Sequence, residues 1–528
     1  MFIRETSYIR NNKKYTYLKL VKNYRENGKV KQKVIANLGN LDSISKDEIK
    51  SIIKGLYRYT NVSSEKDFRF LNSYSYGDVA VLLSLWQKIG LKGTLEELLE
   101  DKDIRTIFVF ILHRLLGFET NISTPKWVTK IYLQKSYKNI SLNEFYQAMD
   151  NLITHKEKLE STIISNLKYL DNSKFLYCGL VKSLLERQIE KTYDDKFEIY
   201  LGLLLNQEGY PITHSMLMES EIDKLTPPWL IRKYLKKFPG YKIIYFDILR
   251  HISNDIVKYM DENNLKYVID LKKARNQEIK YILSRTKKNE FKKFNEKLFI
   301  KEKIIDNKRY IICYYPELEK LEMKNRNNII NWGHREIMSI KRVISKQSSY
   351  NKAEIALKKM KDLFKQEKNL RKYYSYWIYF DGTIFYEKKQ NIIKLEEELD
   401  GLHFFVTNEL EIPVINLIKV YEDFIRLSIF VGTIKNFLRT RSMHHYSEDR
   451  IKAHIFLTIL AYILQIELSK KLEKTDLKIS SKQALEILSE IKISENELSG
   501  NKFFSISEIK EEQRQILQAF GIRKLRIP

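Results

Sequence analysis

Apolar and polar residues alternate between positions 14 and 38, a stretch rich in Tyr, Val and Leu with Glu26-Asn27-Gly28 at its middle. Alternation of period two about an Asn-Gly pair predicts a β-hairpin, because Asn and Gly accept the positive φ of a tight turn. From about 75 to 170 the spacing becomes helical. Val79, Leu82, Leu83, Trp86 and Ile89 share one face, and the pattern resumes over 107–116 and 145–152. Thr124-Pro125 marks a break between two of these helices.

Past Lys174 the period changes again. Residues 175–180 and 199–205 are apolar runs of strand length, and Asn206-Gln207-Glu208-Gly209 turns the chain into 210–214, which predicts an antiparallel meander. A helical stretch at 229–238 leads through Pro239-Gly240 to the buried strand 242–247, which ends in Asp247, and another helix opens at 256–260. Residues 267–269 read as a strand. Between 275 and 399 short strands such as 309–315 mix with a Lys-rich helix at 353–366, as in an insertion. The core resumes at 401–408 and continues as two helices, 417–437 and 451–472. This gives an α/β chain of five parts: a basic hairpin segment (1–60), a helical domain (75–170), a split core (171–274 and 400–475), the insertion, and a helical tail (476–528).

A chain of 528 residues exceeds what one hydrophobic core fills, so two or three packed domains are expected. With 43% apolar residues and no long Gly/Ser/Pro tract, the whole length should fold. Lys and Arg outnumber Asp and Glu by 93 to 67, which favours a polyanionic partner. An AT-rich coding sequence would also enrich Lys, Asn, Ile and Tyr. Residues 1–60 hold 14 cations against 5 anions, with Tyr15, Tyr17 and Tyr24 interleaved. A DNA-contacting arm and an ordinary solvated hairpin fit that segment equally. The two cysteines, Cys178 and Cys313, make neither a zinc site nor a disulfide framework, consistent with a reducing compartment. No apolar leader opens the chain, and the longest apolar run, 455–466, is shorter than the ~20 residues of a membrane span; a cytoplasmic protein with no membrane partner is expected.

Taken together, these elements resemble the bacterial insertion-sequence DDE transposases of the IS-four superfamily, closest to its IS-sixteen-thirty-four-like branch. Phe2-Ile3-Arg4-Glu5, Tyr15-Thr16-Tyr17-Leu18 and Val34-Ile35-Ala36-Asn37-Leu38-Gly39 resemble the branch's amino-terminal segment. Gly209-Tyr210-Pro211-Ile212, Asp400-Gly401-Leu402 and Thr407-Asn408 resemble its later landmarks, as do Arg441-Ser442-Met443-His444-His445, Arg450-Ile451 with His454, and the tail around Gln513 and Phe520-Gly521. The resemblance implies an RNase H-like fold: a mixed sheet flanked by helices, with a β-rich insertion. It also implies three carboxylates holding two Mg²⁺ ions about 4 Å apart for in-line phosphoryl transfer, and action as a homodimer on double-stranded DNA at transposon ends.

Carried over residue by residue, the second Asp is retained as Asp247, the implied metal ligand. The first falls on Cys178, a soft thiol unsuited to Mg²⁺ whose bland role is a core side chain. The Glu falls on Ser428, in a helix where Tyr421, Ser428 and Lys435 keep the family's spacing of seven and so share a face. Glu422 and Asp423 are rotated away from that face. Tyr421, Lys435, Arg441 and His445 match positions that approach donor DNA. One charged ligand in place of three implies a transposase-family DNA-binding protein with impaired catalysis. Two other readings fit the residues: an active transposase or nuclease with carboxylates relocated beside Asp247, and a non-catalytic binding or scaffold protein.

Overall fold

The computed structural model describes residues 1–528 except 11–12, 27–28, 42, 58–67, 118–123, 135–136, 138–139, 172–173, 190–192, 250–251, 272–275, 285–289, 348–349, 433–447, 499 and 528. The alternating N-terminal segment forms a three-stranded antiparallel sheet, β1 (Phe2–Arg10), β2 (Lys13–Glu26) and β3 (Lys29–Asn40). The expected hairpin is β2 with β3, Glu26 facing Lys29. Strand β1, absent from the sequence reading, pairs along the other edge of β2 from Phe2–Val21 to Arg10–Lys13.

After β4 (Phe68–Ser75) comes the helical layer, chiefly Gly77–Lys88, Asp101–Leu116, Leu142–Thr154 and Lys156–Asn166. Ser141 starts the third of these with a reciprocal cap: its hydroxyl accepts from the Glu144 amide at 3.3 Å, and the Glu144 carboxylate accepts from the Ser141 amide at 2.7 Å. Trp86, Phe108, Phe110 and Phe145 fill the layer, Phe110 meeting Phe145 edge-on at 4.8 Å.

The central sheet begins with the antiparallel meander β5 (Phe175–Ile189), β6 (Tyr193–Leu205) and β7 (Pro211–Met218). Strand β8 (Lys242–Asp247) runs parallel to β5, and β9 (Lys266–Leu271) parallel to β8. Three strands of the insertion, β10 (Lys292–Lys293), β11 (Phe299–Ile305) and β12 (Lys308–Tyr314), join the same sheet. After a separate hairpin of β13 (Tyr374–Ile378) and β14 (Ile384–Lys388), strand β15 (Leu402–Thr407) closes the gap between β12 and β9. The resulting order is β10-β11-β12-β15-β9-β8-β5-β6-β7. Its middle strands are covered on both faces, which is why 175–180 and 243–246 read as unbroken apolar runs rather than alternating ones.

Helix Thr226–Lys237 covers one face, with Leu230 against Gly202 and the Tyr234 hydroxyl donating to the Gly202 carbonyl at 2.6 Å. Helices Val414–Gly432 and Glu448–Glu473 cover the other. By length and composition Glu448–Glu473 could cross a membrane, but 78% of its apolar window is buried between the sheet and the helical layer.

Two expectations change. The insertion is mainly helical rather than β-rich: Pro316–Ser345, Lys352–Gln366 and Gln390–Leu399 pack with the β13–β14 hairpin around Ile337, Ile344, Met360 and Leu370. Its first helix buries Ile330, Ile337 and Ile344 at spacings of seven, a stripe too narrow to stand out among polar residues. The tail is not all helical either. Between helices Ser481–Ser489 and Glu511–Ala519 lie β16 (Lys492–Leu498) and β17 (Asn501–Ile506), and β16 pairs with β4 from the start of the chain. Within β16 only Ile493 and Asn496 are buried, so no alternation announces it.

Candidate functional site

Asp247 ends β8, at the carboxyl end of a parallel strand, where α/β sheets commonly place ligand-binding groups. The side chain is buried, and its Oδ2 accepts a hydrogen bond from the Ile252 amide at 3.2 Å, closing the turn into helix Asn254–Glu262. Cys178 lies on β5 opposite Tyr245 of β8. Paired residues of parallel strands point the same way, as do residues two apart on one strand, so Cys178, Tyr245 and Asp247 share a face. It is the face under helix Thr226–Lys237, where Tyr234 and Tyr245 both lie near Cys178. Cys178 is wholly buried, and burial pushes its thiol far above the ordinary range.

The helix carrying Ser428 packs on the opposite face. A Cβ on Gly179 would meet Phe424 at 3.1 Å, and the Phe424 ring lies 5.7 Å from that of Phe246. One turn beyond Phe424, Ser428 is half-buried. The structure therefore brings Cys178 and Asp247 to one side of the sheet and sets Ser428 on the helix of the other side. No group of three His, Cys, Asp or Glu side chains arranged to hold a metal ion occurs among the described residues.

Tyr421, one face-repeat before Ser428, donates its hydroxyl to Asp270 Oδ2 at 2.7 Å and sets its ring edge-on to Phe405 at 4.8 Å. Asp270 was missed by sequence reasoning, which ended the strand at Ile269; the signal was a lone carboxylate inside an apolar run. A Cβ at Gly432, in the last turn of the helix, would meet nothing within 4 Å, so no packing requires glycine there. Lys435, Arg441 and His445 lie outside the described residues.

Asp423 points to a different landmark. Gly209, at φ +86°, closes the turn after β6, and a Cβ on it would sit 2.5 Å from Asp423 Oδ2. Burial pushes the Asp423 carboxyl up to about 6, although Arg426 and Lys419 pull the other way. Its folded value thus exceeds the ~3.9 of an unfolded Asp. The stabilisation tied to the protonated form is complete below that unfolded value and is lost as pH rises through about 6. Asp423→Asn, which keeps the shape without the charge, is expected to melt a few degrees above the parent at pH 8 and level with it at pH 4. Melting curves across that range check this, and a pH-independent difference would contradict it.

Of the other landmarks, Asp400 and Gly401 hold the insertion to the sheet, and Thr407 and Asn408 tie β15 to β9 and the helix before it. Asp400 forks onto Arg326 of helix Pro316–Ser345 at 2.7 and 2.6 Å. Gly401, at φ +72°, is pressed against the Tyr315 carbonyl, which a Cβ would approach to 2.8 Å. Thr407 donates to the Tyr267 carbonyl, and the Asn408 side chain spans the Tyr267 amide, Asp261 and the Leu265 carbonyl.

In a comparison with known families, residues 3–66 fit the profile of the IS1634 family transposase, N-terminal domain. This match supports an insertion-sequence transposase. No curated protein matches the chain.

Proposed function

We propose that this chain is a DNA-binding protein of the insertion-sequence transposase type whose carboxylate centre no longer supports strand cleavage and transfer. The observation that carries the reading is the match of residues 3–66 to the transposase N-terminal domain. The sheet supports it: β7-β6-β5-β8-β9, an antiparallel meander followed by two parallel strands, is the arrangement expected of an RNase H-like core, with Asp247 at the carboxyl end of the fourth strand in chain order. The net charge of +26 favours a polyanionic partner, which on this reading is double-stranded DNA at element ends, bound by a homodimer as such transposases act.

The residues do not fit the Mg²⁺ pair that the superfamily implies. Mg²⁺ demands hard oxygen ligands in octahedral geometry. Here Asp247 shares its face with a buried, protonated thiol, and Ser428 lies on the other face.

The test is a gel shift on the element's own terminal sequence, run beside a cleavage assay with Mg²⁺ or Mn²⁺. Binding without cleavage is expected, with Asp247→Ala binding as the parent does. Cleavage abolished by Asp247→Ala would overturn the inactive reading in favour of relocated carboxylates, and failure to bind would favour a scaffold role.

A further inference from the structure

The N-terminal sheet has two chemically different faces. Opposed residues of antiparallel strands point to the same side, so the register fixes each face. One carries Arg4, Tyr8, Lys13, Tyr15, Tyr17, Lys19, Arg25 and the amides Gln32 and Asn37, with no Asp or Glu. Both acids of the strands, Glu5 and Glu26, stand on the reverse, where Glu26 pairs with Lys31 at 2.7 Å. The reverse also holds Lys14, Lys22, Lys29 and Lys33, so overall charge alone does not choose between the faces.

Side-chain order does choose. Tyr8 stacks on Tyr15 and Tyr17, with ring centroids 5.9 and 5.5 Å away, and its hydroxyl donates to that of Tyr17 at 3.3 Å. Arg4 donates to the Gln32 side chain across the sheet. The rings thus form a fixed ridge flanked by cations and amides, and further along the same face Val34, opposite Val21, and Val30, opposite Arg25, are exposed. Cations anchor phosphates, amides read base edges, and small apolar groups contact thymine methyls. The outer strands lie two spacings apart, about 10 Å, close to the ~12 Å width of a major groove.

We propose that the Tyr8/Tyr15/Tyr17 face of this sheet is the surface that docks on duplex DNA, with Arg4 and Lys19 on phosphates. The inference rests on the DNA-binding reading above and assigns the contact to one face. Its rigidity comes from the tyrosine stack; its sign comes from the exclusion of both carboxylates to the reverse.

The experiment uses the full chain and fluorescence anisotropy on a labelled 30-bp duplex of arbitrary sequence, with the same strand unpaired as competitor. Arg4→Glu/Lys19→Glu is expected to weaken binding at least tenfold and to flatten the dependence of log K on log salt by about 2, since each phosphate left without its cation takes ~0.9 from the slope. Lys22→Glu/Lys33→Glu, the same charge change on the reverse face, should stay within about threefold of the parent. All four side chains lie on the surface of the sheet, so matched melting curves confirm that both variants fold. Equal losses from the two variants would overturn the face assignment, as would a single strand that outcompetes the duplex. Undiminished binding by Arg4→Glu/Lys19→Glu would refute the surface while leaving DNA binding to another part of the chain. A parent that binds no DNA would instead refute the proposed function.

Discussion

Replacing Asp400 by alanine is expected to destabilise the protein by about 3–5 kcal/mol, the cost of stranding one member of a buried ion pair. Both oxygens of Asp400 meet the Arg326 guanidinium, at 2.7 and 2.6 Å, and the two side chains are only 6% and 3% exposed. The pair sits where the insertion rejoins the sheet, next to the Gly401 amide, which donates to Glu322 at 2.9 Å, and the Gly401 carbonyl, which accepts from Tyr315 at 2.9 Å. Without the carboxylate, Arg326 keeps its charge but cannot recover water, so helix Pro316–Ser345 should detach before the central sheet melts. Denaturant unfolding followed by the insertion's Trp332 and by far-ultraviolet dichroism would separate the two events. Arg326→Met/Asp400→Leu, which removes both charges, should recover most of the loss, because an apolar pair of similar volume avoids the desolvation penalty. A loss below about 1 kcal/mol for Asp400→Ala would mean that the fork contributes no more than an exposed pair.

This pair also shows how landmarks can be legible in a sequence while their work is not. Asp400-Gly401-Leu402 and Gly209-Tyr210 stood out as motifs, and in the structure both are joints: one locks a helix to a strand, the other lets a turn press against Asp423. Strands with two buried faces announced themselves through unbroken apolar runs, as in 199–205 and 243–246. Helices with a broad apolar stripe, such as Asp101–Leu116, did so too. What escaped were elements that bury little by themselves. Strand β16 is defined by hydrogen bonds to β4, from the other end of the chain, and helix Pro316–Ser345 by a single row of isoleucines. Residue identity at Cys178 and Ser428 was plain from the sequence, but the sides of the sheet on which they lie depend on register, which a linear pattern does not carry.

That geometry sets the second large effect. Cys178→Asp/Ser428→Glu puts carboxylates where the proposed transposase reading expects them, yet it is expected to lower stability by about 3–5 kcal/mol and to leave cleavage absent. A carboxylate at 178 would replace a thiol with no solvent exposure, between Tyr234 and Tyr245 and on the same face as Asp247. Buried there without a cation, it would be held protonated, and a shift of about 3 units amounts to about 4 kcal/mol lost at neutral pH. Ser428→Glu by itself should cost little, since the position is half-buried, and it supplies charge on the far side of the sheet from position 178. Melting curves of the single and double variants, with Mg²⁺ titrated into each, distinguish the possibilities. A double variant that is stabilised by Mg²⁺ and nicks DNA would show that the strand and helix can still assemble a metal centre, and that loss of two carboxylates alone separates this chain from an active transposase. A destabilised variant indifferent to Mg²⁺ would show that the packing around Cys178 does not admit a metal centre, so that building one requires repacking of Tyr234 and Tyr245 as well.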